Sequence, residues 1–225
     1  MPALPVCSAN DLDGNDPLFE KIADDLSGRN YSVIPNALPV GLSTALFAQI
    51  QGFSETDFVR AGIGRDDAHT FNAFVRRDSI RWIDGLSVAE QDWLQWTQSL
   101  QTCLNRRLFL GLSSFESHFA CYQAGDFYRR HLDAFRQERR GDELLQGNSN
   151  RVISLAAYFN PGWLPDDGGE LLLHEPDDGV SQLKITPAFG TLVVFLSTEV
   201  PHEVLPARRD RYSIAGWYRS GQQLC

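Results

Sequence analysis

The sequence predicts an α+β chain in which supporting helices come first and a double-stranded β-helix, or jelly-roll, core follows. Three observations predict it. Apolar residues recur at helical spacing through roughly the first 110 residues. Beyond Gly111 the pattern shortens to strand-like runs. Turn signals then separate those runs: Asn160-Pro161-Gly162, Asp167-Gly168-Gly169, residues 176–179 and Phe189-Gly190. Helices followed by many short strands fit an α+β jelly roll. We read residues 1–225 as a single domain. Residues 1–110 are its mainly helical support, with a mobile loop near 57–74, and residues 111–220 form the core.

Phe19, Ile22, Ala23 and Leu26 share one helical face, and Gly28 is a stop signal. Residues 31–34 read as a short strand. Leu42, Leu46, Phe47 and Ile50 mark a second helix before Gly52. Gly62, Gly64 and the aspartates Asp66 and Asp67 make 57–73 a loop or hairpin. Ser87 with Glu90 has capping-box form, and Trp93, Leu94, Trp96, Leu100, Leu104 and Leu108 give the next helix an apolar stripe. Residues 115–123 alternate as a strand, with Phe115, Ser117, Phe119 and Cys121 on one face and Glu116, His118, Ala120 and Tyr122 on the other. Further strands are expected at 152–159, 170–174, 182–186, 191–196, 203–205 and 212–218. Residues 137–150 read as a polar insertion.

The formal net charge of -9 excludes a general nucleic-acid binder, which needs a basic surface. The arginines at 129, 130, 136, 139 and 140 are either a solvated face or a site for an acidic partner. No apolar run reaches the roughly 20 residues of a membrane helix, and residues 1–14 lack the pattern of a secretory signal. The four cysteines, Cys7, Cys103, Cys121 and Cys225, form no CxxC pair, which fits a reducing cytoplasm.

The chemistry gathers around His131-Leu132-Asp133. In an extended segment residues i and i+2 share a face, so an imidazole and a carboxylate can converge on one ion. A second imidazole completes a two-His, one-carboxylate triad with open positions, the ligand set of non-haem Fe(II) oxygenases. Among the five histidines, His202 in Pro201-His202-Glu203-Val204 is the candidate, because Arg211 follows nine residues later with Ser213 on the same face. A guanidinium forks onto a carboxylate, so Arg211 can hold the far end of a dicarboxylate while Ser213 adds a hydroxyl donor. His69, His118 and His174 lack that context and read as loop or strand-end histidines.

These motifs carry a resemblance from about residue 75 to residue 218. The matching segments are 75–85, 121–133, 158–160, 168–171, 201–206, 211–214 and 217–218. The chain resembles the 2-oxoglutarate- and Fe(II)-dependent prolyl 4-hydroxylases, in particular the hypoxia-inducible-factor prolyl hydroxylases and their bacterial relatives. The resemblance implies iron ligands at His131, Asp133 and His202. It implies that Arg211 and Tyr158 take the distal carboxylate of 2-oxoglutarate, that Tyr122 lies at its metal-chelating end, and that Leu171 is a pocket wall. Tyr128, Arg151 and Trp217 match positions lining the substrate cleft. Arg76 and Asp78 match a charged pair at the base of a mobile loop that folds over substrate.

The implied activity is hydroxylation of C4 of a prolyl residue in a protein, with release of succinate and carbon dioxide. The implied cofactors are Fe(II), for which Mn(II) can stand in, and 2-oxoglutarate, with ascorbate as reductant. The implied partners are dioxygen and a protein substrate, a translation elongation factor where the chain is bacterial, with no nucleic acid and no membrane. Two alternatives stay open. One is an oxygenase of the same fold acting on another residue or a free amino acid. The other is a non-catalytic cupin-like module. The Arg/Glu-rich segment after Asp133 and the 57–73 loop both depart from the family pattern beside the substrate entrance.

Overall fold

The computed structural model describes residues 16–61, 75–134, 139–140, 143–144, 150–174 and 182–221. Most of the 57–74 loop and of the 137–150 insertion lies outside these residues, as do His69, the 176–179 turn, Cys7 and Cys225.

Helix α1 (Pro17–Arg29) begins where the Asp16 side chain accepts from the Leu18 amide at 2.8 Å and Pro17 takes the first helical position. It runs through Gly28 and ends at Asn30, whose φ of 68° caps it. The expected stop thus moves two residues on, because Asn also tolerates the left-handed region. Strand β1 (Tyr31–Ile34) and helix α2 (Val40–Gly52) follow as the pattern predicts. Helix α3 (Val88–Leu108) starts at Ser87, whose hydroxyl accepts from the Glu90 amide at 3.1 Å. The reciprocal half of the expected capping box differs. The buried Glu90 carboxylate accepts from the Gly85 and Leu86 amides and from Gln49, closing the turn before the helix.

Two short strands, β2 (Val59–Arg60) and β3 (Ser79–Trp82), precede α3. The core strands are β4 (Leu112–Tyr122), β5 (Tyr128–His131), β8 (Arg151–Tyr158), β9 (Leu171–His174), β10 (Gln182–Ile185), β11 (Leu192–Leu196), β12 (His202–Val204) and β13 (Arg211–Ser220). A two-residue ladder, β6 (Arg139–Arg140) with β7 (Glu143–Leu144), lies between β5 and β8. The major sheet has the order β1-β11-β8-β13-β4-β3-β2, and the minor sheet β10-β9-β12-β5. Pairing within both is antiparallel. Strands β1, β2 and β3, from the first 110 residues, therefore complete the major sheet.

Alternation along the strands divides the interior in two. On one face of the major sheet Phe119, Ile153, Leu155, Ala157, Leu192, Val194 and Ile214 pack against Ile22, Leu26, Leu46, Trp93, Leu100 and Leu104 of the helices. On the other face Ala120, Tyr122, Tyr158, Val193 and Phe195 meet Leu171, Leu173, Ile185 and Val204 of the minor sheet. The helices thus hold the major sheet from behind, and the space between the two sheets is left for chemistry.

Candidate active site

Between the sheets lies a cleft of about 660 Å³, counting its open mouth. Its floor on the major sheet is made of small residues on β4, β8 and β13, among them Ala120, Ala156, Ser213 and Ala215. Larger side chains there would fill the space.

Three ligand groups converge in it. His131 and His202 are direct cross-strand partners on β5 and β12, so their rings lie on one face with centroids 4.2 Å apart. Asp133 follows β5 rather than continuing it: the strand ends at His131, and the carboxylate swings in from the bend beyond. The expected strand 203–205 likewise begins one residue early and takes in His202. Nε2 of His131 lies 3.6 Å from one Asp133 oxygen, and Nε2 of His202 lies 3.7 Å from the other. All three ligand atoms fall within 4.8 Å of one another.

The surrounding bonds fix their chemical state. Nδ1 of His131 meets the Arg129 carbonyl at 2.7 Å, and Nδ1 of His202 meets the Val200 carbonyl at 3.1 Å. A carbonyl only accepts, so each Nδ1 is a donor, and Nε2 is the atom left to each ring for ligating a metal. Burial drives His202 down to about 4 although Asp133 opposes it, which keeps the ring neutral. Burial alone would raise Asp133, but His202, His131 and the Ser154 hydroxyl outweigh it and hold the carboxyl well below the usual carboxylate range. Ser154 donates to Asp133 at 2.7 Å and touches Ser197 Oγ at 2.9 Å. Two imidazole nitrogens and one ionised carboxylate suit a divalent first-row metal such as iron and leave positions open for other ligands.

At the inner end stands Arg211, only 2% exposed. A charge that buried needs compensation. Its Nε donates to the Gly169 carbonyl at 2.8 Å, and its guanidinium lies 5.0 Å from the Tyr122 ring centre and 4.9 Å from that of Tyr158. Gly169 has φ +68°, and a Cβ there would come within 2.8 Å of Ala207 and 3.2 Å of Arg211, so only glycine admits this packing. The Tyr158 hydroxyl is buried near the guanidinium but makes no well-formed hydrogen bond among the described residues. Burial raises the phenols of Tyr158 and Tyr122, so both stay protonated and can donate. Ser213, two residues along β13, and Leu171 line the same end.

Tyr128, Arg151, Trp217, Arg76 and Asp78 also line the cleft. Arg76 and Asp78 are not a surface pair. Asp78 is fully buried, and Arg76 grips it through Nε at 2.5 Å and a terminal nitrogen at 2.8 Å. Arg76 also lies over the Tyr128 ring at 4.8 Å, and Tyr128 stacks on His131 at 3.6 Å. Arg151 covers Trp217 at 3.6 Å and pairs with Glu116.

Of the two other described histidines, one meets its expectation and one departs from it. His174 does end a strand, but it is buried and meets Glu203 at 3.0 Å. His118, expected as a loop or strand-end residue, sits in the middle of β4, 1% exposed, and lines the cleft. Its place on the same strand face as Tyr122 and Ala120 was the signal for it in the sequence.

The family model described as the 2OG-Fe(II) oxygenase superfamily matches residues 117–219. The chain is 30% identical over 152 residues to "Egl nine homolog 1" of Homo sapiens, covering 64% of this chain and 33% of that protein. It thus spans about a third of that relative's length. Among solved structures it is similar to a Pseudomonas putida prolyl-4-hydroxylase, with 40% identity, TM-score 0.76, and coverage of 90% of this chain and 99% of that one. A Trichoplax adhaerens prolyl hydroxylase, solved with a hypoxia-inducible-factor peptide fragment, has TM-score 0.77 and 28% identity, covering 95% and 94%.

Proposed function

The chain belongs to the prolyl hydroxylases of the 2OG-Fe(II) oxygenase superfamily, and from that premise we propose that it hydroxylates C4 of a prolyl residue in a protein substrate, with release of succinate and carbon dioxide. One observation carries the reading: the buried Arg211 shares a single cleft with three convergent metal-ligand groups. A cupin-like metal module would leave Arg211 and the Tyr158 hydroxyl without a task.

We propose that His131, Asp133 and His202 hold Fe(II). With 2-oxoglutarate and dioxygen, that iron supplies the oxidation of an unactivated C–H bond. The protein's part is placement. The distal carboxylate of 2-oxoglutarate completes the compensation that Arg211 requires, and Tyr158 and Ser213 donate to it. Tyr122 donates near the chelating end, and Leu171 keeps water from that wall. Ser154 holds Asp133 in its ligating orientation. Tyr128, Arg151 and Trp217 form the substrate's walls. The Arg76–Asp78 pair fixes the segment from which the 62–74 stretch springs.

The whole works as one oxygenase domain, with ascorbate as reductant. The free thiols of Cys103 and Cys121 suit a cytoplasmic setting. No helix among the described residues is long and apolar enough to cross a membrane. A translation elongation factor, the target type implied by the resemblance to bacterial relatives, is the first substrate to examine. The test is incubation with Fe(II), 2-oxoglutarate and a proteome, followed by succinate measurement and mapping of +16 Da sites. Succinate with hydroxyprolyl products supports the reading. Products on other residues or on free amino acids overturn the substrate class, and no succinate overturns the enzyme.

A further inference from the structure

His118 has no part in the scheme above, yet it is built into the cleft. Its Nδ1 lies 3.2 Å from the Phe119 carbonyl, so Nδ1 carries the proton. Burial, aided by Arg76, pushes the ring down to about 4 and outweighs the opposing pull of Asp78. A neutral imidazole protonated at Nδ1 has a lone pair at Nε2. The ring is held by Trp82, edge-on at 5.2 Å and 89°, and by Trp217 at 5.4 Å. Trp217 is itself 7% exposed, lines the same cleft, and its buried indole N–H finds no acceptor among the described residues. An unsatisfied buried donor is rare enough to ask for a ligand. The cleft therefore holds one acceptor and one donor side by side, the complement of a peptide group.

We propose that His118 and Trp217 read the main chain of the substrate next to the reacting proline: His118 Nε2 accepts a flanking amide N–H, and the Trp217 N–H gives to a neighbouring carbonyl. The inference rests on the protein-substrate reading above. Because a prolyl residue has no N–H, the amide read by His118 belongs to a neighbour, and a second proline at that position is rejected. Such pairing explains how a cleft can select an extended peptide without demanding particular side chains.

The test uses acetylated, amidated heptapeptides with a central proline and randomised flanks, and esters of the best substrate in which each flanking amide N–H is replaced in turn. In the wild type, one ester lowers kcat/KM by roughly tenfold, the size of one hydrogen bond. In His118→Leu the parent peptide loses a similar factor and the ester penalty at that position shrinks toward one. His118→Gln, which restores an acceptor, recovers part of the penalty, as a merely structural role would not. If no ester slows the wild type, or if His118→Leu keeps the full penalty, the inference is overturned. The wild-type arm decides the matter even where the variants do not fold. If no peptide gains a hydroxyprolyl, the reading of the substrate class falls and this inference with it. Hydroxyprolyl products insensitive to every ester remove this inference alone.

Discussion

The two ends of the cleft are built differently. The inner end is fixed by backbone: Arg211 rises from β13 between its two neighbours β8 and β4, its Nε tied to a main-chain carbonyl and its flank shaped by a glycine that no other residue replaces. The mouth is fixed by side chains holding one another: Arg76 on Asp78 and Tyr128, Arg151 on Trp217 and Glu116, Trp82 on His118. A backbone-fixed end suits a ligand that is always the same. A side-chain-fixed end can differ from one chain to another without disturbing the sheet. The difference teaches that cosubstrate and substrate recognition should separate under mutation.

The largest expected effect lies between the two ends. Asp133→Ala removes the one carboxylate of the proposed ligand set, and both bound iron, measured by metal analysis, and succinate release should fall below detection. At the inner end, Arg211→Ala should weaken 2-oxoglutarate by at least roughly thirtyfold, because it deletes a buried charge partner. Titration calorimetry with 2-oxoglutarate reads it, and unchanged affinity would merge the two ends into one.

At the mouth, Arg76→Ala leaves Asp78 buried and unpaired. Thermal or denaturant unfolding should show a loss of about 3–5 kcal/mol, with the KM for peptide rising more than the KM for 2-oxoglutarate. Ser154→Ala removes the bond that orients Asp133 together with a contact to Ser197, so iron affinity should drop roughly ten- to a hundredfold while 2-oxoglutarate affinity changes little.

His118 gives the most local effect, confined to one window of pH. Its folded value of about 4 lies below the ordinary 6.5. Between those pH values the unfolded chain binds more protons, so His118 contributes stability that is present above pH 6.5 and lost as pH falls toward 4. His118→Leu should flatten the stability profile in that window, by on the order of 3 kcal/mol at most. An unchanged slope would mean that the ring is charged in the fold.

The inner end was legible in the sequence, and the mouth was so only in part. Arg211 stands nine residues beyond His202, and such spacing survives any arrangement of loops. Strand β5 escaped notice because Tyr128-Arg129-Arg130-His131 shows no apolar alternation; its arginines are exposed. Strand β3 was hidden because it carries one buried residue, Ile80, among polar neighbours. The two faces of β4 were separable by period two, but nothing local says which face meets a helix and which a cavity. His118 was passed over for that reason. Asn30 replaced Gly28 as the end of α1 because capping depends on where the chain must turn to enter β1, a tertiary demand.

The place of β13 has a further consequence, for the order in which the molecule can assemble. It is made after every other strand described, yet it sits in the middle of the major sheet, paired with β8 on one side and β4 on the other. Until it inserts, β4 and β8 face each other across a missing strand. A nascent chain halted before residue 211 exposes two unpaired edges and lacks Arg211, Ser213 and Trp217. Pairings so distant in sequence form late and slowly. Newly made chains should therefore pass through an aggregation-prone interval before they can retain 2-oxoglutarate, and that interval should lengthen with every weakening of β13.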